Sequence, residues 1–182
     1  PILGTDPGTM RQALDRDGLK GIAARLGLRV PPSAVATSLE EARRRAAEIG
    51  YPVVVRPTRA LGGPNVDVVF DEEQLRAFLA EVRWMAPPPQ VGATFIEKYL
   101  EHAIEVEADA VADGKQCFIG GIMEHVEEAG VHSGDSACSL PSVTVTGRLL
   151  EEIREQTRAL ALALGVRGFL NAQFAIRDDE VY

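Results

Sequence analysis

The order of apolar and polar positions changes period several times along the chain, and each change marks an element. Leu19, Ile22, Ala23 and Leu26 recur at helical spacing, so the pattern predicts a helix over about residues 13–27 with Gly27 as its stop. Pro31 and Pro32 then require extended chain. Ser38 and Glu41 read as a capping box for a second helix, which carries Ala42, Ala46 and Ile49 on its apolar side and is closed by Gly50. The short apolar run 53–56 is of strand type, 57–64 is a loop, and 66–70 is another strand. Asp71 and Gln74 predict the cap of a third helix, with Leu75, Phe78, Leu79 and Val82 on one face. Pro87, Pro88 and Pro89 mark a loop before a strand at 93–97.

From residue 103 the period is two. Ile104, Val106, Ala108 and Ala110 point one way, and Glu105, Glu107 and Asp109 the other. Asp113-Gly114 is a two-residue hairpin signal leading into a strand at 117–123. The stretch 121–141 then shows no period: it mixes acids, two histidines, serines and glycines. A packed core does not select that mixture, because each buried polar group would need a partner. A loop that wraps a small charged ligand does: Gly130 and Gly134 permit close backbone approach, and His132, Ser133 and Ser136 offer donors. Thr146 is expected to open a helix through Leu150, Ile153, Leu160 and Leu164, closed by Gly165, and a strand at 169–176 is followed by a strand pair around Asp178-Asp179. Helices mixed with hairpins give an α+β fold with mostly antiparallel sheets.

A chain of 182 residues makes one domain or two small lobes. With 46% hydrophobic and 25% charged residues, the composition is that of a water-soluble globular protein. The net charge of −8 argues against a nucleic-acid partner, since the one basic run, Arg43-Arg44-Arg45, lies on a predicted helix. The absence of a long apolar run argues against a membrane span, and no signal peptide is visible. Cys117 and Cys138 make neither a disulfide framework nor a zinc pattern, and read as reduced thiols of a cytoplasmic protein. The first residues read as the end of a buried strand, and Tyr182 lies inside a strand, so a fragment truncated at the C-terminus is expected.

The candidate chemistry is of two kinds. Glu105, Glu107 and Asp109 could look with Asn171 and Gln173 into a common cleft and supply oxygens to Mg²⁺ or K⁺, although a solvent-facing half-buried sheet alternates in the same way. Gly62 and Gly63 can bring backbone N–H groups over a phosphate or form a plain hairpin turn, and they lack the Walker and dinucleotide spacings. Arg56 can fork a phosphate or make a surface ion pair. His132 and Ser133 could donate to a ribose or phosphate, and His125 precedes Glu127 and Glu128, while lone histidines also serve structural roles. No Ser-His-Asp or Cys-His arrangement stands out.

The run Glu124-His-Val-Glu-Glu-Ala-Gly-Val-His-Ser-Gly-Asp-Ser136, with Tyr51-Pro-Val-Val-Val-Arg-Pro57, Leu61-Gly-Gly63, Glu105-Val-Glu107, Val166-Arg-Gly168 and Asn171-Ala-Gln-Phe-Ala175, resembles the large subunit of carbamoyl-phosphate synthase. The likeness spans essentially the whole chain and is to the second, C-terminal ATP-grasp half. It implies an ATP-grasp fold of two lobes with flanking helices: 1–12 as the end of a preceding region, 13–93 as the first lobe with its glycine loop, and 94–182 as an incomplete second lobe.

The implied reaction is phosphorylation of carbamate by ATP, within glutamine-dependent carbamoyl-phosphate synthesis for arginine and pyrimidine biosynthesis. Arg56 and Gln173 would be catalytic. Arg56, Gly62 and Gly63 would meet phosphate, Lys98 and Leu100 adenine, and Glu105 the ribose. Gly130, Val131, His132 and Ser133 would line the nucleotide. Gln173 would bind Mg²⁺ or Mn²⁺, and Glu105, His125, Glu127, Glu128, Val131 and Ser136 would form a K⁺ site. The implied partners are a glutamine amidotransferase small subunit, reached through the parent polypeptide, and an oligomer of such heterodimers. The family's remaining metal ligands, a Glu and an Asn, belong to the strand after Tyr182, so the isolated chain is expected to be inactive. Arg59, Pro64 and Glu128 depart from common family residues. The bicarbonate-phosphorylating first half, and a non-catalytic nucleotide-binding regulatory or scaffolding module, are the alternatives.

Overall fold

The computed structural model describes residues 3–58, 66–85, 93–129 and 136–182. They fall into two compact units, Pro31–Tyr99 and, separately, the residues up to Val30 together with Leu100–Tyr182.

In Pro31–Tyr99 the strands are β1 (Ser33–Ala36), β2 (Val53–Pro57), β3 (Asp67–Val69) and β4 (Thr94–Lys98), and the helices are α3 (Leu39–Ile49) and α4 (Glu72–Met85). The sheet is antiparallel in the order β1-β4-β2-β3. Its core is Ala36, Ala42, Ala46, Val53, Val55, Val69, Leu75, Leu79 and Ile96. Two results differ from the sequence reading. The chain after Pro31-Pro32 is strand β1, at the sheet edge where prolines are tolerated. Thr94–Lys98, expected to open the second lobe, lies between β1 and β2.

Both predicted caps form. Ser38 Oγ accepts from Glu41 N (3.2 Å) and Asp71 Oδ1 from Gln74 N (2.8 Å). The return bonds reach one residue further upstream than a standard box: Glu41 takes the amide of Thr37, and Gln74 that of Phe70, each at 2.9 Å.

The other unit carries α1 (Pro7–Leu14), α2 (Arg16–Arg25) and α5 (Arg148–Leu164), with β5 (Ile104–Asp113), β6 (Cys117–Glu128), β7 (Cys138–Ser139), β8 (Arg167–Arg177) and β9 (Glu180–Val181). The antiparallel sheet order is β7-β6-β5-β8-β9. On its core side Val106, Ala108, Ile122, Phe174, Ile176 and Val181 pack with Ile153 of α5. The single helix predicted over 13–27 is two helices, because Asp15 is extended (φ −83°, ψ 106°) and Asp6 caps an earlier helix with Pro7 at its start. Ile22 packs with Ala112, Ala161, Leu164 and Val166, which places α2 in this unit rather than at the head of a first lobe.

The helix expected from Thr146 starts at Arg148 after Gly147, and Gly165 closes it in the left-handed conformation (φ 69°) as predicted. Asp178 and Asp179, both at positive φ (52° and 59°), make the β8–β9 turn. The β5–β6 turn is longer than two residues: Asp113 N donates to Gln116 O, and Asp113 Oδ1 takes the amides of Lys115 and Gln116. Strand β6 runs on to Glu128, beyond the predicted end at 123. No helix among the described residues is long and apolar enough to cross a membrane.

Candidate functional site

Strand β5 lies between β6 and β8, and its polar edge organises the site. The register sets Glu107 opposite Gln173 and Asp109 opposite Asn171. Gln173 Nε2 donates to Glu107 Oε1 (2.8 Å), and Asn171 Nδ2 donates to both Glu107 Oε2 (3.1 Å) and Asp109 Oδ1 (2.9 Å). An ionised carboxylate only accepts, so both amides must turn their nitrogens to it, and Gln173 keeps its carbonyl oxygen for another partner.

His125 of β6 completes the cluster from the other side. It is 5% exposed, with Nε2 3.3 Å from Glu107 Oε1. That approach is not aligned as a hydrogen bond, and among the described residues neither ring nitrogen has a hydrogen-bond partner. Glu105, Glu107 and His125 each place a ligand atom within 4.8 Å of the others. Carboxylate oxygens suit a hard cation, and a buried imidazole with no hydrogen bond among the described residues departs from the usual satisfaction of buried polar groups. A cation held between these side chains would answer both, so the residues fit one. The alternation along β5 had already offered Glu107 as an oxygen ligand on the acidic stripe, whereas the ligand set implied by the family resemblance did not include it.

Of the other expected ligands, Glu127 Oε2 accepts from Ala137 N (2.8 Å), and Ser136 is half-buried beside it in sequence. Gly62, Gly63, Gly130, Val131, His132 and Ser133, and the side chain of Glu128, lie outside the described residues.

On the core face of β6, one residue before His125, Glu124 is 7% exposed. It accepts from Ser142 Oγ (2.7 Å), from the amides of Val143 (2.8 Å), Thr144 (2.8 Å) and Val145 (3.3 Å), and from the Thr144 hydroxyl. Burial pushes this carboxyl up, but the bonds from Thr144, Ser142 and the amides outweigh it and hold it down at about 2.

In the unit Pro31–Tyr99, Arg56 is next to last in β2 with Nη2 3.0 Å from Glu97 Oε2, and its guanidinium lies 5.4 Å from the Phe95 ring centroid. Lys98 Nζ donates to the carbonyls of Gly50 and Tyr51 (2.9 Å each), which places its charge at the C-terminal end of α3. Leu100, half-buried, opens the second stretch of the other unit, and its carbonyl accepts from Ala103 N (3.3 Å).

The two antiparallel sheets, each with its own helices, are of the ATP-grasp fold class. The fold matches a biotin carboxylase–β-γ-ATP complex from Campylobacter jejuni with a TM-score of 0.82, over 96% of this chain and 40% of that one, at 21% identity. Within that class, the family model described as "Carbamoyl-phosphate synthase L chain, ATP binding domain" matches residues 15–182, and the chain belongs to this family. It is 46% identical, over its whole length, to the carbamoyl phosphate synthase large chain of Vibrio vulnificus, of which it spans 17%. It is 47% identical over 181 residues to the carbamoyl phosphate synthase large chain, C-terminal section, of Aquifex aeolicus, of which it spans 33%.

Proposed function

We propose that this chain is the second synthetase domain of a glutamine-dependent carbamoyl-phosphate synthase, phosphorylating carbamate with ATP. The observation that carries the reading is the Glu105–Glu107–His125 cluster with Gln173 opposite Glu107, on the polar sheet face of a member of this ATP-binding family. The run 124–136 and the likeness to a C-terminal section support the second half over the first.

Phosphoryl transfer of this kind asks for positioning and charge neutralisation rather than covalent chemistry. Gln173 and the β5 acids would hold Mg²⁺ or Mn²⁺, and Glu105, His125, Glu127, Glu128, Val131 and Ser136 would hold K⁺; bound there, the cations supply positive charge against the phosphates. Arg56, Gly62 and Gly63 would meet phosphate, Lys98 and Leu100 adenine, and Gly130 to Ser133 the nucleotide. Arg56 already makes one charge-assisted hydrogen bond to a carboxylate oxygen, that of Glu97, of the kind a phosphate oxygen would accept. The amidotransferase partner, the oligomer of heterodimers and a cytoplasmic setting belong to the same reading.

The test is ATP formation from ADP and carbamoyl phosphate by the full-length protein carrying this chain, with Mg²⁺ and K⁺ supplied. ATP from wild type, abolished by Gln173→Ala and by Glu105→Ala, is the expected result. A folded wild type that makes no ATP refutes it.

A further inference from the structure

Glu124 places a carboxylate on the core face of β6, where the strand alternation calls for an apolar side chain. Four donors from residues 142–144 and the more distant amide of Val145 converge on it. Its backbone meanwhile pairs with Ser139, and that of His125 with Cys138. Val126 N donates to Ala137 O (2.9 Å), and Ala137 N to Glu127 Oε2 (2.8 Å). The limb 137–145 is thus held along the strand edge by backbone bonds and from the core side by one carboxylate. His125, next along the strand, points to the opposite face, against Glu107.

We propose that Glu124 is a positioning residue for the cation and nucleotide site, fastening the limb 137–145 to β6 and so fixing where His125 and Glu127 stand. The inference rests on the functional reading above and assigns a role to a residue that reading does not use. A fold built for stability alone has no need of this charge, since a well-packed apolar side chain avoids its desolvation. A carboxylate is the one side chain that accepts from so many donors and offers none back, and it therefore fixes one arrangement of the limb. A strand fixed on one face is fixed on the other, so releasing the limb displaces His125 and Glu127 and weakens what they bind.

The test compares wild type, Glu124→Gln and Glu124→Asp in the full-length protein. ATP formation from ADP and carbamoyl phosphate is titrated with K⁺ and with MgADP, and thermal melts are recorded alongside. In Glu124→Gln the carboxamide NH₂ meets donors, so half-saturation for K⁺ and KM for MgADP are expected to rise about tenfold while kcat at saturation changes less than about threefold. Glu124→Asp, which keeps the charge, restores part of both. A lowered melting temperature with K⁺ and MgADP curves that overlay wild type overturns the proposal and leaves Glu124 a structural residue. If Glu124→Gln does not fold, Ser142→Ala and Thr144→Val, which each delete one donor, decide the matter: the same split at about two- to threefold sustains the proposal, and unchanged curves overturn it. A wild type without ATP formation refutes the functional reading and this inference together; an active wild type with unchanged variants refutes this inference alone.

Discussion

A carboxylate's meaning depends on which face of a strand it occupies. Glu105, Glu107 and Asp109 are acids on a polar face, and their alternation with Val106 and Ala108 was legible without a structure. Glu124 was not legible, because its partners Ser142 to Val145 lie about twenty positions away and local sequence does not announce them. Its carboxyl, held down at about 2 against an ordinary 4.5, binds its proton more weakly folded than unfolded. It therefore contributes stability above pH 4.5, and that contribution drains away as pH falls from 4.5 through about 2. Urea unfolding across this range is expected to show a smaller loss with acid in Glu124→Gln than in wild type. Arg56 makes a second residue-scale case. Its pair with Glu97 is mostly buried, with side chains 15% and 20% exposed, so Arg56→Ala is expected to cost about 1–3 kcal/mol in urea unfolding.

Elements were legible where capping residues and apolar period agreed. Helices α3 and α4 begin at the predicted Ser38 and Asp71, and replacing either by alanine is expected to cost about 0.5–2 kcal/mol, read from denaturant midpoints. Where one signal was weighed alone, the boundary moved. The stripe from Leu19 to Leu26 hid the break at Asp15, although Asp6 and Pro7 announce a separate helix start. The expected end of β6 at residue 123 came from a polar residue interrupting the apolar period, yet Glu124 stays in the strand because the limb 142–145 satisfies it. Strand β1 is short and at a sheet edge, so its period had too few residues to declare itself.

At the scale of the molecule, each unit rests on its own buried cluster. Ile153 of α5 is fully buried against the sheet centred on β5, and Ile153→Ala is expected to cost about 2–5 kcal/mol, with hydrogen-exchange protection lost from the amides of β5, β6 and β8. The sequence by itself determined the α+β class, the N-terminal caps of α3 and α4, the polar and apolar faces of β5, and the motifs that carry the family likeness, all of which depend on period or on short runs of residues. The tertiary structure decided that β4 pairs with β1 and β2, that α2 packs beside α5, and that β8 lies next to β5 so that Gln173 reaches Glu107 from 66 positions away. Those choices follow from register and from which apolar faces bury one another, and local propensity cannot specify them because a strand's own pattern does not name its neighbour.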